Sequence, residues 1–261
     1  MAYQNILVER EGKVALITVN RPQALNCLSL ATLDELEGAL DGLARDPEVR
    51  ALVITGAGPR SFISGADIGE LNALPSPQAA VDYAHRGQAL VFKLERFPKP
   101  VVMAINGYCL GGGLELAMAG DIRVAADTAR FGQPEINLGL IPGFGGTQRL
   151  PRRVPRGMAK YMILTGEHLS AQEALRIGLV EKVVPASEVV QAAKALAATL
   201  AEKAPVAVRL AKEAIDQGME ADIHRGCALE AANFGLVCGT EDRREGTSAF
   251  LEKRKAQWKG R

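Results

Sequence analysis

Apolar and polar residues alternate in blocks along this chain, and the period changes from block to block. The first twenty residues hold two strand-like runs, "NILVER" and "VALITVN", separated by the turn residues Glu11, Gly12 and Lys13. Pro22 ends that pattern. From Ser29 the apolar positions Leu33, Leu36, Leu40 and Leu43 recur at helical spacing behind a capping serine, and "RALVITG" after them has the composition of a buried strand. The cycle then repeats: a loop at 57–66, a helical stretch from Pro77 to Arg96, the strand "PVVMAIN", a glycine-rich turn, a short helix holding Glu115, and the strand "DIRVAAD". Strands alternating with helices imply parallel crossovers, so the pattern predicts an α/β fold.

After about Gly178 the pattern changes. "LVEKVV" is the last strand-like run, and beyond Pro185 the segments "SEVVQAAKALAATLAEKA", "VAVRLAKEAIDQG", "CALEAANFGLVCG" and "EDRREGTSAFLEKRKAQW" are helical in period. Two regions are therefore expected, a core over 1–185 and a helical region over 186–261. The latter has an apolar face that must pack on the core or on another subunit.

Composition narrows the function. With 48% hydrophobic residues in 261 the chain can bury a sizeable core, and 31 basic against 30 acidic residues leave a formal charge of +1. That balance gives no footprint for nucleic acid or a membrane surface. The four cysteines (Cys27, Cys109, Cys227, Cys238) lack the close pairs of zinc sites and read as reduced thiols of a cytoplasmic protein. The start of the chain has no targeting pattern, and apolar runs such as "VVMAI" are too short to span a bilayer. No phosphate-binding P-loop or serine nucleophile elbow occurs, and "GFGGTQ" at 143–148 is not a dinucleotide fingerprint.

The chemistry is concentrated in two glycine-rich loops and two acids. In "NGYCLGGGLELAMAG" the glycines 111–113 precede a helix whose first N–H groups have no intrahelical acceptor, so Gly112 offers a donor to a negative oxygen. "SFISGADIGEL" offers a similar loop at Gly65-Ala66 before a helix starting at Asp67. Two such donors converging on one point make an oxyanion hole, each worth about 3 kcal/mol as charge develops. Taken singly, each loop serves equally as a tight turn or a helix cap. Glu115 is the one polar residue between Gly111 and Gly120, in a helix apolar all round and hence buried. Burial raises a carboxyl pKa toward neutrality, although an acid in a first helical turn also complements the dipole. Glu135, in "ARFGQPEINLGLIPGFGGTQRL", is a second acid in glycine-rich, apolar surroundings. Together the pair suits moving a proton on or off carbon next to a carbonyl. Leu74, Leu140 and Phe144 are read as core residues, with lining of an acyl pocket as the alternative.

The segments "SGADIGEL", "INGYCLGGGLELAMAGDIRVA" and "FGQPEINLGLIPGFGGTQRLPR" resemble the enoyl-CoA hydratase, or crotonase, superfamily, and the match runs from the first strand to "FLEKRKAQW". The resemblance implies a crotonase-like spiral of repeated ββα units with a C-terminal helical region, assembled as a homotrimer or hexamer. It implies an acyl-CoA thioester as substrate, with CoA part of the substrate and no separate cofactor or metal. Ala66 and Gly112 match the oxyanion-hole pair, and Glu115 and Glu135 the two catalytic acids of the hydratase branch. Ala66, Asp67, Ile68 and Gly69 match the segment lining the CoA part of the site. Phe250 and Lys253 match a C-terminal region that in family trimers reaches a neighbouring subunit's CoA. Where many hydratases carry Lys or Arg after Ala-Asp-Ile, this chain has Gly69, which removes a charge contact and leaves the chemistry in place. Glu115, ionised, is expected to activate water, and Glu135 to deliver the proton to carbon. The superfamily's isomerases and decarboxylases, and catalytically silent scaffold or RNA-binding homologues, are the alternatives.

Overall fold

The computed structural model describes residues 3–261. Strands β1 (Ile6–Glu11) and β2 (Val14–Val19) form the expected hairpin; α1 (Leu30–Arg45) follows, capped by the Ser29 side chain, and leads into β3 (Ala51–Gly56). The chain continues through β4 (Ser61–Ile63), α2 (Ile68–Asn72), α3 (Pro77–Glu95), β5 (Val101–Ile105), β6 (Tyr108–Leu110) and α4 (Gly112–Ala119). Then come β7 (Ile122–Ala126), β8 (Arg130–Gly132), a 3-10 turn at Pro134–Leu138, α5 (Gly146–Arg153), α6 (Arg156–Thr165), β9 (Leu169–Ser170), α7 (Ala171–Arg176) and β10 (Lys182–Val184). Four helices complete the chain: α8 (Val189–Ala201), α9 (Pro205–Gly218), α10 (Ile223–Cys238) and α11 (Glu241–Leu251). None of these is long and apolar enough to cross a membrane.

The strands divide between two sheets, one ordered β1-β2-β3-β5-β7-β10 and the other β4-β6-β8-β9. From β2 onward the larger sheet is parallel, and β3 and β5 are buried on both faces, as apolar runs without alternation require. Each turn of the chain lays one strand in the large sheet and the next in the small one, then adds helix: β3-β4-α2-α3, β5-β6-α4 and β7-β8-α5-α6. These are the ββα turns of a crotonase-like spiral.

Asn106 shows how the two sheets are held together at their joint. Its buried amide donates to the Gly56 and Gly58 carbonyls at 2.9 and 2.7 Å, and its oxygen accepts from the Gly56 N–H at 3.2 Å. The turn after β5 is thereby tied to the turn after β3, which fixes where β6 and α4 start. α8 lies across β3, β5 and β7, with Val189, Ala193, Ala197 and Ala201 buried against them. α9 and α10 pack on each other, and Lys212 of α9 reaches Asp121 at the edge of the core at 3.0 Å.

Candidate active site

α4 starts at Gly112 because Gly111 breaks the strand with a φ of +49°, a value that favours glycine. Every residue of the helix is buried, and Glu115 is 1% exposed. That carboxylate has partners from far along the chain: its Oε1 accepts from the Phe144 N–H at 2.8 Å and the Gly146 N–H at 2.6 Å. One oxygen is thus occupied, and Oε2 has no hydrogen-bond partner within the described protein. Burial pushes the Glu115 pKa up to about 8, with the Glu135 charge adding to the rise and the two amides opposing it.

Glu135 sits in the 3-10 turn after β8, carried there by the Pro134 break. With its amide turned to suit its neighbours, the buried Gln133 donates to both Glu135 oxygens, at 2.8 and 3.1 Å. Burial raises the Glu135 pKa to about 7. The two acids share one corner. A Cβ on Gly111 would lie 3.0 Å from Glu135 Oε1, and one on Gly146 would lie 3.0 Å from Glu115 Oε1 and 2.9 Å from the Gln133 amide group. Glycine at these positions leaves room for the carboxylates. Coupled acids in such a corner titrate as a pair, so near neutrality they hold about one proton between them. Burial pushes both carboxyls up, and the proton belongs to the pair rather than to either acid alone.

The two loop donors also meet. A Cβ on Gly112 would lie 3.4 Å from the Ala66 nitrogen, and Leu28 and Ala66 form a parallel bridge that holds the Gly65-Ala66 turn against the N-terminal segment. Among the described residues, neither the Ala66 nor the Gly112 N–H donates to a backbone acceptor outside regular elements. Asp67 caps α2 through the Gly69 N–H at 3.0 Å and pairs with Arg21 at 3.1 Å, and these bonds hold its carboxyl below the usual range. Its side chain therefore shapes the loop, and the backbone of Ala66 to Gly69 is what faces outward. Ile68 and Gly69 are exposed. Phe250 and Lys253 are not brought to this corner: α11 packs on α10, and Phe250 is 83% exposed.

Three contributors escape the sequence reading. The Phe144 and Gly146 N–H groups carry no side-chain signature. Arg149, buried on α5, bonds the Phe144 carbonyl at 3.3 Å and Glu95 at 2.8 Å, and lies 4.7 Å from the Phe92 ring centre. It braces the turn that cradles Glu115 and lowers that acid's pKa through space. Phe144 is core, as expected, and Leu74 is half-buried against it. Leu140 is not core: it is 42% exposed beside the exposed Ile141, where the chain turns outward after Gly139.

A raised carboxyl pKa has a cost in stability. An unfolded glutamate loses its proton near pH 4.5, whereas the folded pair keeps its protons to about pH 7 and about pH 8. The native state thus binds more protons across that interval, and its stability falls as pH rises through it. Glu115→Gln is expected to raise the melting temperature at about pH 8.5 and to change it little at about pH 5. An equal offset at both pH values in thermal unfolding would contradict the raised pKa.

The sequence profile of the enoyl-CoA hydratase/isomerase family matches residues 9–261, and the chain belongs to that family. It is 48% identical over 257 residues to a short-chain-enoyl-CoA hydratase of Clostridium acetobutylicum, covering 98% of each chain. It is also 48% identical to a crotonyl-CoA hydratase of Syntrophomonas wolfei, covering 99% of each. The crystal structure of an enoyl-CoA hydratase from Bacillus anthracis superposes with a TM-score of 0.95 at 42% identity, over 99% of this chain and 100% of that one.

Proposed function

We infer that this chain is an enoyl-CoA hydratase, which adds water reversibly to a 2-enoyl-CoA to give a 3-hydroxyacyl-CoA. The observation that carries the reading is the pairing of two acids, both raised to near neutrality, with two unpaired amides that converge from separate loops, Gly112 at the start of α4 and Ala66 ahead of α2. The names of the relatives support it and make crotonyl-CoA the first substrate to test.

The thioester oxygen accepts from the Ala66 and Gly112 N–H groups. Water lies between Glu115 and Glu135, and the ionised carboxylate of the pair takes its proton as the oxygen bonds to C3. The double-bond electrons move through C2 onto the thioester oxygen, where the two amides stabilise the growing charge. The protonated carboxyl then gives its proton to C2, and the pair again holds one proton. Nothing in these steps calls for a metal or redox cofactor; CoA belongs to the substrate, and its arm runs along the backbone of Ala66 to Gly69. Loss of the conjugated thioester's ultraviolet absorbance on mixing with crotonyl-CoA tests the reading, and an unchanged spectrum at high enzyme concentration would contradict it.

The functional form is a homotrimer or hexamer in the cytoplasm, where its four free cysteines stay reduced. Ile215, Met219, Ile223, Phe234, Phe250 and Leu251 all stand exposed on α9 to α11 or beside them, apolar side chains that a neighbouring subunit would cover. Assembly places Phe250 and Lys253 against a neighbour's CoA. Light scattering is expected to give three or six copies; a monomer mass with full activity at the same dilution would contradict this.

A further inference from the structure

Tyr83, on α3, is only 6% exposed, and its fully buried hydroxyl has no hydrogen-bond partner. A buried hydroxyl left unpaired is destabilising, and one kept in place calls for a partner that arrives later. Its position indicates which partner. The Tyr83 ring is tilted by 35° against the Phe144 ring at 5.7 Å between centres, and the Phe144 ring would lie 3.2 Å from a Cβ on Gly112. The Tyr83 ring thus packs on the ring that lies against the residue whose amide is assigned to the thioester oxygen.

The acids whose charge reaches it make their hydrogen bonds elsewhere. Glu70 accepts from the Leu30 N–H, and Asp67 is taken up by Arg21, Cys27 and the Gly69 N–H. Burial together with those negative neighbours raises the phenol's pKa, so the group remains an O–H donor at every working pH. The surroundings offer a negative field and no acceptor, which suits a neutral carbonyl oxygen better than a carboxylate.

We propose that Tyr83 is a substrate-binding residue whose hydroxyl donates a hydrogen bond to a carbonyl oxygen of the bound acyl-CoA thioester. This rests on the acyl-CoA reading above. The test is Tyr83→Phe, which keeps the ring on Phe144 and removes only the hydroxyl. Calorimetric titration with butyryl-CoA, which has no double bond to hydrate, and with free CoA separates the binding from the chemistry. Tyr83→Phe is expected to weaken butyryl-CoA binding about three- to tenfold, the usual worth of one hydrogen bond. The KM for crotonyl-CoA should rise in parallel, kcat should change less, and the ligand-free melting temperature should stay or rise. A loss confined to butyryl-CoA assigns the bond to the acyl thioester carbonyl; an equal loss with free CoA assigns it to an amide carbonyl of the pantetheine arm. Unchanged affinity for both, with a lowered ligand-free melting temperature, would overturn the proposal and give the hydroxyl to a buried water. Wild-type protein that binds neither ligand would overturn the acyl-CoA reading as well, whereas binding without hydration would overturn the hydratase reading alone.

Discussion

Glu115→Gln and Glu135→Gln are each expected to lower kcat for crotonyl-CoA hydration by about a hundred- to ten-thousandfold, the usual worth of positioned acid–base catalysis. The amide keeps the shape of the carboxyl. In Glu115→Gln its oxygen still accepts from Phe144 and Gly146, so the turn stays in place while the exchangeable proton is lost. KM should move far less than kcat. If both acids act on one water as a unit, as proposed, the double variant should be only modestly slower than the worse single one. If Glu115 served only as a helix-end charge, Glu115→Gln would leave the rate nearly intact and alter stability by about a kcal/mol or less. Steady-state kinetics on the three variants separate the two outcomes.

The second large effect is expected at Gly112. It is the first residue of α4, the helical position that best accepts proline, since its ring presets the helical φ and its missing N–H had no intrahelical partner. Gly112→Pro therefore deletes the donor while leaving the helix a start. The loss of one oxyanion donor should lower kcat by about a hundred- to a thousandfold. Gly112→Ala is the control. It introduces the same Cβ, tight against the Phe144 ring at 3.2 Å, but keeps the N–H, so it should retain more activity than the proline variant. Equal losses in two folded variants would assign the effect to crowding of Phe144, and near-normal turnover in Gly112→Pro would show that the donor is wrongly assigned.

The large sheet was legible because its first five strands are runs of five or six residues, of which "ALVITG" and "VVMAI" are buried on both faces. The small sheet was not. Its strands, Ser61–Ile63, Tyr108–Leu110, Arg130–Gly132 and Leu169–Ser170, hold two or three residues each, too few to show any period, and they sit in stretches that read as loops. Glu115 stood out because a lone acid in an all-apolar helix has no bland environment to occupy. The groups that hold it did not stand out, since the Phe144 and Gly146 amides lie 29 and 31 residues further on and act through backbone atoms. Arg149 lies among other basic residues in "QRLPRRVPR", and only the fold sets it on Phe92 and Glu95. Tyr83 was invisible for the opposite reason: a tyrosine on a helix face is ordinary, and what marks it is a partner it lacks.

The most direct test of two acids delivering water across a carbon–carbon double bond is the product formed from crotonyl-CoA in D2O, followed by proton magnetic resonance. The account predicts 3-hydroxybutyryl-CoA carrying a single deuteron at C2, formed by the wild type and lost together with activity in Glu115→Gln and Glu135→Gln. Formation of the 3-enoyl isomer without added hydroxyl, or recovery of unchanged crotonyl-CoA, would contradict it.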